Sequence, residues 1–156
     1  MADGTTDESV AADQHDLQRF VDAQRDSYHR ALSELRSGEK RSHWMWYVFP
    51  QLAGLGTSQM AQRYAIRGRD EAVAYLEHPV LSPRLRECAG ALLQLPETSA
   101  TDIMGSPDDL KLRSSATLFA AVSEADSIFE QLLHRFFGGE PDARTQELLL
   151  SKQGEF

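Results

Sequence analysis

The sequence specifies an all-α fold: a compact single domain of about seven or eight helices in an orthogonal, irregular bundle, with no significant sheet. Three observations lead there. Apolar residues recur at three- and four-residue spacing, the period of one helix face. Helix starts and stops punctuate the chain, with Ser-Pro pairs opening segments and glycines closing them. No segment reads as a confident strand. The 156 residues, 41% hydrophobic and 26% charged, fit one soluble globular domain with its own core.

Residues 1–15 read as a disordered acidic tail. Asp3, Asp7, Glu8, Asp13 and Asp16 fall in the first sixteen positions, where there is no Lys or Arg. The first helix is expected over 17–37, between an Asp16 cap and Gly38. Leu17, Phe20, Val21, Gln24, Tyr28, Ala31, Leu32 and Leu35 share its face. Gln24 and Tyr28 are the polar members, as hydrogen-bonded core-edge residues or as part of a pocket. A short helix is expected within 43–48, ended by Phe49-Pro50 because proline disfavours helical geometry in the residue before it. Gly54 and Gly56 free the backbone for a turn, and Thr57 or Ser58 caps a helix to about Ile66.

Asp70 and Glu71 place acids in the first turn of the next helix, which ends near His78-Pro79, with a C-capping role for His78. Ser82-Pro83 opens another, with Leu85, Cys88, Ala89, Leu92 and Leu95 on its buried face. A short turn of helix over 101–104 stops at Gly105. Ser106 is expected to cap the following helix, with Pro107 in its first position and Asp109 completing a capping-box variant. Ser114, Ser115 and Thr117 put hydroxyls on that helix where apolar residues are expected; close helix packing accounts for the serines. Asp126 is the expected cap of a helix stopped by Gly138-Gly139, and Asp142 caps the last, through about Leu150. Residues 16–151 form the domain and 152–156 a frayed end.

Several functions are set aside by composition. A net charge of −8 argues against duplex nucleic acid. No apolar run reaches a membrane span, and no signal-peptide pattern opens the chain, so a cytoplasmic location without membrane association is expected. The lone Cys88 permits no internal disulfide, the histidines show no ligand spacing, and no metal or cofactor is expected. Zinc-protease, serine-hydrolase and P-loop motifs are absent. Gly54-Leu55-Gly56 is only a fragment of a dinucleotide fingerprint.

The functional signal concentrates in Lys40-Arg41-Ser42-His43-Trp44-Met45-Trp46 and the glycine turn after it. Both tryptophans lie here, and five cations between 38 and 69 face the single acid Glu39. Aromatic surface beside positive charge suits a phosphate-bearing ligand with a ring. The expected binding set is Lys40, Arg41, Trp44, Gln51, Gly54, Gly56, Ser58, Lys111, Ser114 and Ser115. His43 is the expected general base and Asp108 the acid orienting it. In a helix, positions 44 and 46 diverge, so Trp46 is expected to pack inward and Trp44 to line the cleft. Each residue also has a plainer reading: core anchors for the tryptophans, a capped turn for the glycines, a backbone-bonded histidine, a surface pair for Asp108 with Lys111. The functional expectation is binding, with or without hydrolysis, of an anionic small molecule such as an ADP-ribose- or NAD-type nucleotide. A non-catalytic protein-interaction module, with an unidentified partner, is the alternative.

The motifs also carry a resemblance. Phe20 with Ala23-Gln24 and Gly38-x-Lys40-x-x-His43-Trp44-Met45-Trp46 continue to Phe49-Pro50-Gln51. Gly54-Leu55-Gly56-x-Ser58, Tyr64-x-Ile66, Tyr75-Leu76-x-His78 and Arg84-Leu85 follow. Asp108-Asp109-Leu110-Lys111-Leu112 comes three residues after Gly105, and Ser114-Ser115-x-Thr117-Leu118-Phe119 completes the set. Over about 17–150 the chain resembles a bacterial family, domain of unknown function 1810. The resemblance implies a helical fold and no established activity. Ala116 stands where a methionine is expected.

Overall fold

The computed structural model describes residues 13–153. Most of the expected acidic tail, and residues 154–156 of the expected frayed end, lie outside them. Within the described residues there are ten helices and no sheet. They are α1 (Gln18–Gln24), α2 (Tyr28–Ser37), α3 (Met45–Val48), α4 (Gln59–Arg63) and α5 (Arg69–Glu77). After them come α6 (Leu81–Leu93), α7 (Ala100–Met104), α8 (Asp108–Ala121), α9 (Ile128–Phe137) and α10 (Ala143–Gln153). A single parallel bridge, Leu52 to Ile66, is the only β pairing among them.

The expected first helix is two. Ser27 Oγ donates to the Ala23 carbonyl, and the Arg25 and Ser27 amides donate three residues back, which tightens and breaks the helix at 25–27. The break lets Gln24 and Tyr28 both turn inward, 2% and 5% exposed. Gln24 Nε2 donates to the Tyr47 carbonyl at 2.7 Å and to the Tyr75 hydroxyl at 3.2 Å. Gln24 and Tyr28 are therefore core polar residues with partners.

α8 is the central helix, in contact with α5, α7, α9 and α10, while α2 and α9 both pack on α6. Every residue from Leu112 to Phe119 except Arg113 is buried. A helix enclosed on all sides must settle its hydroxyls internally. Ser114 Oγ donates to the Leu110 carbonyl and Thr117 Oγ1 to the Arg113 carbonyl. Small side chains also let neighbouring helices approach. A chain of rings, Phe20–Tyr75–Phe119–Phe129, with centroids 5.2–5.5 Å apart, runs through the core.

Several expected caps shift. α1 starts at Gln18, whose amide donates to Asp13 rather than to Asp16. α4 stops at Arg63, because the Ile66 amide and carbonyl are drawn into pairing with residues 51 and 53. α6 begins at Leu81, one residue ahead of Ser82, and His78 Nδ1 accepts from the Val80 and Leu81 amides. His78 is the C-cap residue of α5, as expected, its amide donating to the Tyr75 carbonyl, and its side chain also caps the following helix. Pro107, after a cis Ser106–Pro107 bond, is the N-cap residue of α8, so Ser106 does not cap it. Asp109 accepts from Thr101 Oγ1 and its neighbour's amide instead of closing a capping box. Ser127, not Asp126, caps α9. Asp142 caps α10 as expected, accepting from the Thr145 amide at 2.9 Å.

Candidate functional site

The aromatic stretch is held by a residue that sequence reasoning passed over. α2 ends at Gly38, whose left-handed φ of 80° turns the chain back across the helix. That return brings four donors to the buried Glu34 carboxylate. Arg41 N and Trp44 Nε1 donate to Oε1 at 2.8 and 2.9 Å, Ser42 N to Oε1 at 3.0 Å, and Ser42 Oγ to Oε2 at 2.6 Å. Burial alone would raise the Glu34 pKa. The bonds from Ser42 Oγ, Arg41 N, Trp44 Nε1 and Ser42 N outweigh it and hold the value at about 2. A signal existed: Glu34 adjoins Leu35 and follows Ala31 by three on the inward face, where a carboxylate needs partners.

Trp44 and Trp46 take the opposite places to those expected. Trp44 is 1% exposed, so it cannot wall a cleft; its ring is core and its indole N–H belongs to Glu34. Trp46 is the half-buried one. The reason is the helix start: Trp44 is the residue before α3 rather than within it, so its direction does not follow the helical spacing.

A charged triad lies over these rings. Lys40, only 6% exposed, places Nζ 2.9 Å from Asp108 Oδ2, 2.5 Å from the Ser42 carbonyl and 4.9 Å from the Trp44 ring centroid. Lys111 Nζ is 3.5 Å from Asp108 Oδ1 and 5.2 Å from the Trp46 centroid. Asp108 is therefore committed to two lysines. His43 is exposed and makes no side-chain hydrogen bond among the described residues, so the expected His43–Asp108 pair does not form. Arg41 is likewise directed to solvent, 69% exposed and paired with Glu39 at 2.8 Å. Arg63 lies over Tyr64 and, with α4 ended, shares no helix face with Arg67.

The glycine turn does form one wall of a cleft. Leu52 pairs with Ile66 at its base, and Ala53 N donates to the Ile66 carbonyl at 2.7 Å. Gly54 has a φ of 102°, a conformation that favours glycine. Gly56 is required by space: a Cβ there would come 2.6 Å from that of Ala61. Ser58 caps α4, its Oγ accepting from Ala61 N at 3.0 Å.

The cleft, about 390 Å³, opens between this turn, the start of α8 and the start of α10. Five expected binding residues line it: Gln51, Gly56, Ser58, Lys111 and Ser114. Asp142 and Arg144, which sequence reading did not single out for binding, line it as well. They come from the far end of the chain, and no local motif points to them. Leu55, Ala61, Pro107 and Leu110 supply its apolar part. Lys40, Arg41, Trp44, Gly54, Ser115, His43 and Asp108 are not among the lining residues. Ser115 is 1% exposed and its Oγ has no partner among the described residues.

Elsewhere, Arg19 ties α1 to the loop before α5, donating to the Arg63 and Ala65 carbonyls and to buried Glu71 at 2.7 Å. Tyr28 donates to Glu87; burial, then that bond, push its phenol above the ordinary tyrosine range. Burial pushes the Cys88 thiol up to about 12. No cluster of three or more His, Cys, Asp or Glu suited to a metal occurs among the described residues. No helix among them is long and apolar enough to cross a membrane.

Fold and site together define a compact all-α domain with a small, open, charge-lined cleft beside a glycine turn. The chain belongs to the family described as a protein of unknown function, DUF1810, whose model matches residues 14–149. It is similar to the crystal structure of the conserved hypothetical protein Rv1873 from Mycobacterium tuberculosis. The two are 52% identical with a TM-score of 0.85, over 86% of this chain and 96% of that one. Comparison with curated proteins returns no match.

Proposed function

We propose that the cleft between the glycine turn, α8 and α10 binds a small molecule through an anionic group, phosphate or carboxylate. The observation that carries this is the meeting of Lys111 and Arg144, from two different helices, on one cleft with Ser58 and Gln51. Neither cation is firmly engaged within the protein. Lys111 is 3.5 Å from Asp108 and Arg144 is 3.4 Å from Glu147, which leaves several N–H donors for a ligand.

The reading is one of binding. The general base expected at His43 lies outside the cleft lining, and Asp108 is held by two lysines. The ring-stacking wall expected of Trp44 is likewise gone with its burial. That burial also removes Trp44 as an anchor for a protein partner, so we favour the small-molecule reading over an interaction module.

Thermal-shift and calorimetric titration with inorganic phosphate, phenyl phosphate, phenylacetate and ADP-ribose test it. At least one should stabilise the wild-type chain, and Lys111→Ala with Arg144→Ala should abolish the effect without lowering the melting temperature of the free protein. Absence of binding by the whole anion panel, or binding that survives the double substitution, would overturn the proposal.

A further inference from the structure

Resting on that anion-binding reading, we propose that the cleft selects a ligand with one negative group on a compact apolar body and discriminates against pyrophosphate-linked nucleotides. The first ground is charge. Two cations, Lys111 and Arg144, and one carboxylate, Asp142, line the cleft. The lining thus carries a single net positive charge. Sites for polyphosphates concentrate positive charge to offset several anionic oxygens. Here one net positive charge matches one negative group, and a second finds no further cation in the lining.

The second ground is the position of Asp142. One of its oxygens, Oδ2, is fixed by the Thr145 amide at 2.9 Å and the Thr145 hydroxyl at 2.6 Å. Thr145 is fully buried, so this cap holds the carboxylate rigidly at the cleft wall. A ligand anion lying between Lys111 and Arg144 tolerates one such neighbour. A pyrophosphate would bring a second charge against it, at a like-charge cost that water screens only partly in a recess.

The third ground is apolar. Leu55, Ala61, Pro107 and Leu110 line the same space. Leu110 is 56% exposed, one of few large hydrophobic residues so open, and a ligand body in the cleft would cover it. The volume of about 390 Å³ suits a ring or short chain with one anionic head.

Calorimetry on the full chain with phenylacetate, phenyl phosphate, pyrophosphate and ADP-ribose decides the matter. Phenylacetate should bind at least tenfold tighter than pyrophosphate or ADP-ribose, with phenyl phosphate, a dianion at neutral pH, between them. Asp142→Asn keeps an acceptor for the Thr145 amide, and it should tighten pyrophosphate at least fivefold and by more than it tightens phenylacetate. Leu110→Ser, at a position already 56% exposed, should weaken phenylacetate at least fivefold and pyrophosphate much less. This second variant stands in if the first lowers the melting temperature. Tightest binding of pyrophosphate or ADP-ribose to wild type, lost in Lys111→Ala, would overturn the selectivity and leave the anion site standing. Failure of every anion to bind would remove both.

Discussion

Replacing Glu34 by glutamine should cost about 3 kcal/mol of folding stability at neutral pH, and the cost should shrink in acid. The magnitude follows from the carboxylate's setting. Its pKa falls from an ordinary 4.5 to about 2 in the folded chain. That difference corresponds to about 3 kcal/mol of stabilisation at pH 7. An independent route gives a similar figure. The Trp44 indole N–H is buried and loses its charged acceptor, which costs about 1.5–3 kcal/mol, while the Arg41 and Ser42 donors lie nearer water and lose less. Because the folded pKa is depressed, the contribution is complete above about pH 4.5 and disappears as pH falls toward 2. Of the total, about 2 kcal/mol should be gone by pH 3. Urea denaturation of wild type and Glu34→Gln at pH 7 and pH 3 measures the difference at each pH. In thermal unfolding the neutral-pH cost should appear as a drop of roughly 6–12 °C. A stability difference that is the same at both pH values would refute the reasoning, because it would assign the cost to packing rather than to the charge.

Other substitutions probe the remaining elements. Lys40→Met should destabilise by about 2 kcal/mol in urea, since it strips Asp108 of its closer partner and leaves only Lys111 at 3.5 Å. Gly56→Ala should cost about 1–3 kcal/mol and weaken ligand-induced stabilisation, because its Cβ would meet Ala61 at 2.6 Å and push the cleft wall outward. His78 has its pKa lowered, first by burial and against an opposing pull from Asp13. Its capping contribution should be complete above about pH 6.5 and fade below it. The stability lost in His78→Ala, about 1 kcal/mol at pH 8, should therefore be smaller at pH 5 by urea denaturation. Cys88, fully buried with its thiol pushed up to about 12, should react with a thiol reagent only at the rate of global unfolding, read by absorbance with and without denaturant.

The fold was legible because its signals are local. Helix period, the glycine at 38 and the Gly138-Gly139 stop each act within a few residues, and each falls at an element end in the structure. What escaped was also local but subtler. The break at 25–27 depends on Ser27 reaching back to Ala23, and an uninterrupted apolar face hides it. The misplaced caps at Ser106 and Asp126 share one cause. Adjacent residues compete for a helix start: Pro107 takes the N-cap position of α8, and the Glu130 carboxylate takes the Asp126 amide while Ser127 caps α9.

The site was legible in part for the opposite reason. Gln51, Gly56 and Ser58, which share the lining of the candidate cleft, stood out because a glycine turn before a capped helix is written in consecutive residues, and Lys111 and Ser114 because they belong to one recognisable run. Asp142 and Arg144 reach the cleft only through the packing of α10 against α8, a contact no spacing encodes. The density of aromatics and cations at 40–46 drew attention to residues that do not line this cleft. Dense aromatic residues are most often the residues a small core needs, and cations beside them become stacking and pairing partners for that core. Lys40 over Trp44 is such a case. It fixes Asp108, and Asp108 in turn faces Lys111 at the cleft. In the proposed site the aromatic stretch would bear on binding at one remove, through the Lys40–Asp108 pair beside Lys111 rather than through a ring that touches the ligand. Asp108→Asn should consequently raise affinity for phenylacetate, by freeing Lys111, whereas His43→Ala should leave it unchanged. No gain from Asp108→Asn in calorimetry, or an equal effect of the two substitutions, would show that this chain of contacts does not govern the cleft.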